Sequence, residues 1–374
     1  MMLFLYILLG IYTLAMVWLV AGVSKLKAFS EGPNGKNTSF SIIIPFRNEA
    51  ANLPELLASL KALDYPKNQF EILLVNDGST DTSVSIIEEA LKETHLQYAV
   101  LENKRYSSSP KKDAITEALK KVQHPWIITT DADCKVPKDW LTVIDKFRSA
   151  KNPKMICGPV IFENQLNLVE QYQFWDGLSL QWATMGGFGW KKPLLCNGAN
   201  LAFEKDCFFE VNGYEGNNHL ATGDDLFLME KVYALYPKKV LYLKNNQAIV
   251  YSKPVQSFSE IVSQRTRWAS KTTQLKSPLT KALALGIFLG NFMVIEAFLC
   301  IFIYPMQLPH FGLLILLKYG LDFFSLLFTA QVFQKKYALG GLLFSVFIYP
   351  FLHCWIFIHC WKGSYTWKGR NFKK

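Results

Sequence analysis

The apolar residues of this 374-residue chain are segregated toward its two ends, and that limits what it can fold into. Met1 to Gly22 is almost purely apolar, starts without a basic cluster, and is followed by Lys25 and Lys27. A cleaved leader carries a charged start and a small-residue cleavage site. A retained anchor helix is therefore expected over residues 1–24, long enough to cross a hydrocarbon core of ~30 Å. Apolar composition returns after Lys281. Ala282–Tyr304 reads as a second span, closed by Pro305 and Pro309. Phe311–Phe333 reads as a third despite Lys318 and Asp322, which lie four apart and can pair on one helix face. Gly340–Cys360 reads as a fourth, so residues 282–360 form a C-terminal membrane region, followed by a basic tail over 361–374. Nearly all the acids lie between these regions, where residues 38–276 are expected to form one soluble domain. Gly32-Pro33-Asn34-Gly35 would link it to the anchor.

Lys25, Lys27, Lys271, Lys276 and Lys281 flank the spans on the domain side. By the positive-inside rule they place that domain in the cytoplasm, at the plasma (inner) membrane. One conflict follows: three simple C-terminal spans would put the basic tail outside. Either one segment is re-entrant or interfacial, or the tail is an exception to the rule. The net charge of +10 fits an anionic membrane surface and phosphate-bearing ligands. No recognised nucleic-acid module is present, so no nucleic acid partner is expected. The seven cysteines include no CxxC pair. His353-Cys354 and His359-Cys360 are spaced by six and do not stack on one helix face, which favours packing over metal ligation.

In the middle region, strand and helix patterns alternate. Phe40–Pro45, Phe70–Val75, Gln97–Leu101 and Trp126–Thr130 read as strands, the first two apolar enough to be buried on both faces. Glu49–Leu63, Ser83–Thr94 and Lys111–Val122 have helical spacing. This alternation predicts an α/β fold with a mostly parallel, Rossmann-like sheet. Farther on, Met155–Ile161 reads as a strand, Leu166–Met185 as an aromatic-rich helix, Ala221–Leu235 as a helix and Phe258–Gln274 as a basic amphipathic helix.

The apolar run Trp126-Ile127-Ile128 leads into Asp131 and Asp133. On a strand, residues two apart point the same way, and strand ends of open α/β sheets face the ligand crevice. Paired carboxylates there suit a hard divalent cation that also binds phosphate. Alone, such a pair more often marks solvated loop acids.

Its neighbours strengthen the reading. From about Ser41 to Trp268 the strings IIIPFRNE, VNDGSTD, TTDAD, CNGANLAF, TGDD and QRTRW occur in order. Together they resemble the family 2 glycosyltransferases of GT-A fold. QRTRW resembles the QxxRW signature of membrane polysaccharide synthases and lipid glycosyltransferases, and Trp367-Lys368-Gly369-Arg370 fits the same group.

The resemblance implies roles. Asp77 would contact the nucleoside of a nucleotide diphosphate sugar, and Pro45 and Glu49 would shape its pocket. Asp133 would ligate Mg²⁺ or Mn²⁺, with Asp131 nearer the ribose or a metal-bound water. Lys112 would stand near the donor, although Lys111 beside it leaves the register open. Asp225 would be the general base, beside Asp224 where the family usually has Glu. Gln264 and Arg267 would steady the diphosphate, Trp268 would sit by the acceptor, and Asn197 and Gly198 would help form the acceptor site.

Each position also has an ordinary reading. Asp77 can form an Asx turn, and Lys112 can lie on a solvated helix face. Glu49, Asp224 and Asp225 can be helix-dipole partners. QRTRW can be a basic interfacial helix. The implied activity is a membrane-bound inverting glycosyl transfer to a hydroxyl of a lipid or glycan acceptor, with membrane lipids as neighbours. A processive polysaccharide synthase is a variant of it. A catalytically inactive homologue acting as a scaffold is the competing class. Such a homologue would be marked by a lost carboxylate among Asp77, Asp131, Asp133 and Asp225, and all four are present.

Overall fold

The computed structural model describes residues 1–30, 32, 38–163, 167–271, 274–360, 364–367 and 370–373. Residues 33–35 of the expected linker, Leu166 at the expected helix start, and Lys368 and Gly369 of the tail motif lie outside them. The helices are α1 (Met2–Lys25), α2 (Leu53–Lys61), α3 (Ser83–Leu91), α4 (Pro110–Leu119), α5 (Trp140–Lys151) and α6 (Leu168–Gly189). They continue with α7 (Lys205–Glu210), α8 (Asp224–Leu235), α9 (Phe258–Ser270), α10 (Pro278–Ile303), α11 (Leu308–Val332) and α12 (Leu339–Cys360). The strands are β1 (Phe40–Phe46), β2 (Phe70–Asn76), β3 (Gln97–Glu102), β4 (Trp126–Thr129), β5 (Cys134–Lys135) and β6 (Met155–Cys157). After them come β7 (Val160–Phe162), β8 (Leu201–Glu204), β9 (Val240–Tyr242), β10 (Val250–Ser252), β11 (Ser364–Trp367) and β12 (Arg370–Lys373).

The chain divides into two compact units. One holds Met1–Leu26, Phe162–Leu194 and Pro254–Lys374; the other holds Lys27–Ile161 and Leu195–Lys253. The stretch expected as one domain over 38–276 is therefore shared between them. α6 and α9 group with the apolar helices, because their buried faces are packed there.

The second unit is built on a seven-stranded sheet of order β3-β2-β1-β4-β8-β6-β9. β1 runs parallel to both β2 and β4, and β2 runs parallel to β3. β8 is antiparallel to its two neighbours, so the sheet is mostly parallel with one reversed strand. Every residue of β2 is buried, as is every residue of β1 except Pro45, which is partly exposed. Helices cover both faces of such strands, hence their continuous apolar sequence. α2, α3 and α4 lie between β1 and β4 in the chain and contribute Leu53, Leu56, Leu57, Leu60, Ile87, Leu91, Ile115 and Leu119 to the buried interior. The order reverses between β1 and β4, and in open α/β sheets ligands bind in the crevice at such a switch point.

Met155–Ile161 is not one strand. It breaks at Gly158-Pro159 into β6 and β7. Proline offers no ladder donor, and the Gly158 N–H is taken by the Asn200 carbonyl at 2.8 Å.

In the first unit, α1, α10, α11 and α12 are long and apolar enough to cross a membrane. Lys318 is fully buried among them and donates to Asp322 Oδ2 at 2.6 Å and to Asn291 Oδ1 at 2.7 Å. The Tyr12 hydroxyl donates to the same Asp322. Gly290 makes room for Tyr12: a Cβ at that position would lie 2.3 Å from the ring. A polar group in apolar surroundings is tolerated when its partners are built in, and this network ties α1 to α10 and α11. α6 lies close against α1, where a Cβ on Gly22 would meet the Gly186 carbonyl oxygen at 2.0 Å.

Candidate active site

The C-terminal ends of β1 and β2 are joined by polar contacts. Gly78 adopts φ +68°, which lets the chain turn sharply after Asp77. The Asn76 side chain accepts from Ser79 N at 2.8 Å, and the Asn48 side chain accepts from Thr80 N at 2.8 Å. The Arg47 guanidinium donates to the Asp77 carbonyl at 2.7 Å. Asp77 is buried, and its Oδ1 accepts from Asn103 Nδ2 at 2.7 Å. Arg105 stands 3.9 Å from the same oxygen. The turn and the carboxylate thus coexist, because a neighbouring asparagine makes the Asx turn and leaves Asp77 turned toward Asn103. Glu49 is also buried. Its N–H donates to Ser83 Oγ at 2.8 Å and its carboxylate accepts from Asn52 Nδ2 at 2.7 Å, just ahead of α2. Pro45 sits in β1 opposite Val75.

β4 ends at Thr129, so Asp131 and Asp133 lie beyond it on a turn leading into β5. The strand alternation expected for them does not apply. The turn is tight, with Cys134 N donating to the Asp131 carbonyl at 3.2 Å, and Ala132 between the two acids is buried. Cys134 Sγ lies 3.6 Å from Asp133 Oδ1.

The lysine beside Asp131 is Lys111, not Lys112. Lys111 Nζ is 2.6 Å from Asp131 Oδ1 and 3.1 Å from Asp224 Oδ2. Lys112 turns away and is buried, donating to the carbonyls of Asn217 at 2.6 Å and Leu220 at 2.9 Å. Neighbouring helical positions differ by about 100° in direction, so the register left open in the sequence decides which lysine meets the acids. Lys112 is not on a solvated face; it secures the 217–220 segment. Burial alone would lower the Lys111 pKa, but Asp131, Asp224 and Asp225 outweigh it and hold the ammonium well above its usual range.

Asp224 and Asp225 open α8 after Gly223, whose φ of +82° favours glycine. Their carboxylates stabilise the helix N-terminus and also face other partners. Asp225 is buried, and its Oδ2 accepts from Gly198 N at 3.1 Å. Gly198 in turn is tied to the sheet through its carbonyl, which accepts from Thr129 Oγ1 at 2.6 Å. A Cβ on Gly198 would stand 2.9 Å from Asp224 Oδ2 and 3.2 Å from Lys111 Nζ, so any side chain there would make these charged ends shift. The Asn197 side chain accepts from Ala199 N at 3.0 Å and shapes the turn. Asn200 is structural, bridging Trp140 Nε1 and the carbonyls of Pro159 and Ala248. The fold therefore brings Asp131, Asp224, Asp225, Gly198 and Lys111 to one place.

Gln264, Arg267 and Trp268 lie on α9 in the other unit, where each is partly exposed. The buried arginine there is Arg265. Its Nε donates to Asp176 Oδ2 of α6 at 2.5 Å, its Nη1 donates to Gln264 Oε1 at 2.6 Å, and its guanidinium lies 4.1 Å from the Trp268 ring centre. Sequence reading missed Arg265 because its partner is distant in the chain.

Residues 41–194 match the family model described as glycosyl transferase family 2. The chain carries a family 2 glycosyltransferase domain. Among curated relatives, the poly-β-1,6-N-acetyl-D-glucosamine synthase of Staphylococcus epidermidis is 24% identical over 238 residues, covering 61% of this chain and 53% of that protein. The β-monoglucosyldiacylglycerol synthase of Synechocystis sp. is 32% identical over 240 residues, covering 61% of this chain and 46% of that protein. The chain spans about half the length of these relatives. Among solved structures, a mannosyltransferase from Pyrobaculum calidifontis in complex with GDP-Man and Mn²⁺ superposes with a TM-score of 0.60 at 16% identity. That match covers 93% of this chain and 98% of the other, and it shows the GT-A-like α/β fold.

The residues at the switch point fit a divalent cation by their donor chemistry. Asp131 and Asp133 offer hard carboxylate oxygens. Among the described residues, no group of three or more His, Cys, Asp or Glu side chains is placed to hold a metal ion by itself. A Mg²⁺-type ion commonly takes one or two carboxylates and completes its shell with phosphate and water.

Proposed function

We propose that this protein is a membrane-bound inverting glycosyltransferase, which moves a sugar from a nucleotide diphosphate sugar to a hydroxyl of a lipid or membrane-held acceptor. The observation that carries this reading is the meeting of Asp131, Asp224, Asp225 and Lys111 beyond the C-terminal end of β4. Asp77 and Glu49 bind the nucleoside side of the donor, with Pro45 shaping the pocket. Lys111 takes the donor-side role first given to Lys112. Asp131 and Asp133 would hold Mg²⁺ or Mn²⁺, which would supply charge stabilisation for the departing nucleoside diphosphate.

Asp225 accepts the proton of the acceptor hydroxyl as its oxygen attacks the anomeric carbon. The Gly198 N–H holds that carboxylate in place. Asn197 and Gly198 border the acceptor. By the family resemblance, Gln264 and Arg267 of α9 are assigned to the diphosphate and Trp268 to the acceptor. Four apolar helices and the Lys/Arg bias support a membrane location with the catalytic unit in the cytoplasm. The glycolipid synthase relative supports a lipid acceptor, and the polysaccharide synthase relative supports a processive variant.

The test is nucleoside diphosphate release by purified protein in lipid, with Mn²⁺ or Mg²⁺, across a panel of nucleotide sugars. Release with one donor, lost on chelation and lost in Asp225→Asn, is the expected result. A single sugar added per acceptor supports the lipid enzyme, and a product ladder supports the processive variant. Absence of both release and nucleotide binding across the panel would favour the scaffold.

A further inference from the structure

Lys111 occupies a position that a cation bound at Asp131 would contest. Its Nζ lies between Asp131 Oδ1 at 2.6 Å and Asp224 Oδ2 at 3.1 Å, with Asp225 close enough to raise its proton affinity. Two carboxylates thus contact one ammonium. The Lys111–Asp224 contact is sheltered, with side chains 19% and 12% exposed, while Asp131 is more open at 36%. The sheltered contact is screened less than a surface ion pair. Two features fix Lys111 there. It stands in the first turn of α4, directly after Pro110, and the missing Cβ of Gly198 leaves the space its ammonium fills.

We infer that Lys111 makes metal capture conditional on the nucleotide. In the nucleotide-free protein a divalent ion arriving at Asp131 must displace an ammonium already in contact with it. A nucleoside diphosphate brings phosphate oxygens onto which the ammonium can move, because lysine is a flexible point charge that binds phosphate readily. Asp131 is then released to the ion. Metal and nucleotide therefore bind with positive coupling, and each raises the affinity of the other by the same factor. An ion bound without nucleotide would hold no donor, and this arrangement disfavours that state. The inference rests on the donor reading above and extends it to the order of assembly.

Mn²⁺ binding to the full-length protein in lipid, followed by electron paramagnetic resonance with and without UDP or GDP, tests it without any turnover. In the wild type, the diphosphate should tighten Mn²⁺ at least tenfold. In Lys111→Met, Mn²⁺ alone should bind at least tenfold tighter than in the wild type, and the gain from nucleotide should shrink. Lys111→Arg, which keeps the charge, should keep the coupling; a thermal melt of each variant confirms folding, and Lys111→Gln serves if the Met variant melts early. Equal nucleotide-free affinity in wild type and both neutral variants, with Mn²⁺ still tightened by UDP or GDP, overturns the role of Lys111 and leaves the transferase reading standing. No Mn²⁺ binding to wild type or variants with either nucleotide overturns the metal-dependent donor reading and this inference with it.

Discussion

The backbone N–H of Gly198 donates to Asp225 Oδ2 at 3.1 Å, so the carboxylate proposed as base is held by a turn anchored to β4. Asn keeps an oxygen that can accept this bond but cannot take a proton. Asp225→Asn should lower kcat by roughly 10²–10⁴-fold, the usual worth of a general base. Nucleotide affinity and melting temperature should stay near wild type. Full turnover in this variant would remove Asp225 from the role.

Gly198→Ala adds a Cβ 2.9 Å from Asp224 Oδ2 and 3.2 Å from Lys111 Nζ. Both groups must shift. Displacement of catalytic groups by about 1 Å can reduce rate by roughly 10², and a loss of that order is expected. Steady-state kinetics beside a melt would separate this from misfolding, and wild-type kcat/KM would show that the approach is not needed.

The two adjacent lysines should respond differently. Lys112 is buried on two carbonyls, so Lys112→Ala should destabilise the protein by about 2–3 kcal/mol, the scale of hydrogen bonds made by a charged group. Lys111→Ala should act chiefly on ligand binding. Urea unfolding and nucleotide titration of both variants check the contrast, and a reversed pattern would contradict the register seen here.

The raised pKa of Lys111 has a defined sign. Its proton is held more tightly in the folded protein than in the unfolded chain. The resulting stabilisation is complete below the unfolded lysine value of ~10.4 and is lost as pH rises through the folded value. Between about pH 6 and pH 9, stability should therefore follow the same pH slope in wild type and Lys111→Met. Unfolding curves across that range test this, and a slope that differs between the two would show Lys111 titrating there.

Asp176 and Arg265 form a pair with 7% and 8% side-chain exposure. Removing either partner leaves a buried charge uncompensated, at a cost of about 3–5 kcal/mol. Asp176→Ala and Arg265→Ala should each melt early, and the double Asp176→Leu/Arg265→Met should recover part of the loss. Additive losses in the double variant would mean the two are not energetically coupled.

What the sequence revealed follows from which forces are local. β1 and β2 were legible because strands covered on both faces write continuous apolar runs such as Ile42-Ile43-Ile44. The acids after β4 were found, but their geometry was not, since burial of Ala132 in a turn is a tertiary fact. Lys111 was hidden by a single residue of register at a helix start. That α6 and α9 pack with the apolar helices was not legible, because helical aromatic patterns show that a face is buried without showing what buries it. The Asp176–Arg265 pair has no local signal at all, being separated by 89 positions.

The bond from Tyr12 to Asp322 has a consequence for how the protein is made. Its two ends are 310 residues apart in the chain. At ~5–20 residues per second, the first helix is made on the order of 15–60 s before its acidic partner exists. The first helix is thus a late-docking component of the finished bundle, and another apolar helix grafted in its place without that hydroxyl would leave Asp322 short of one partner.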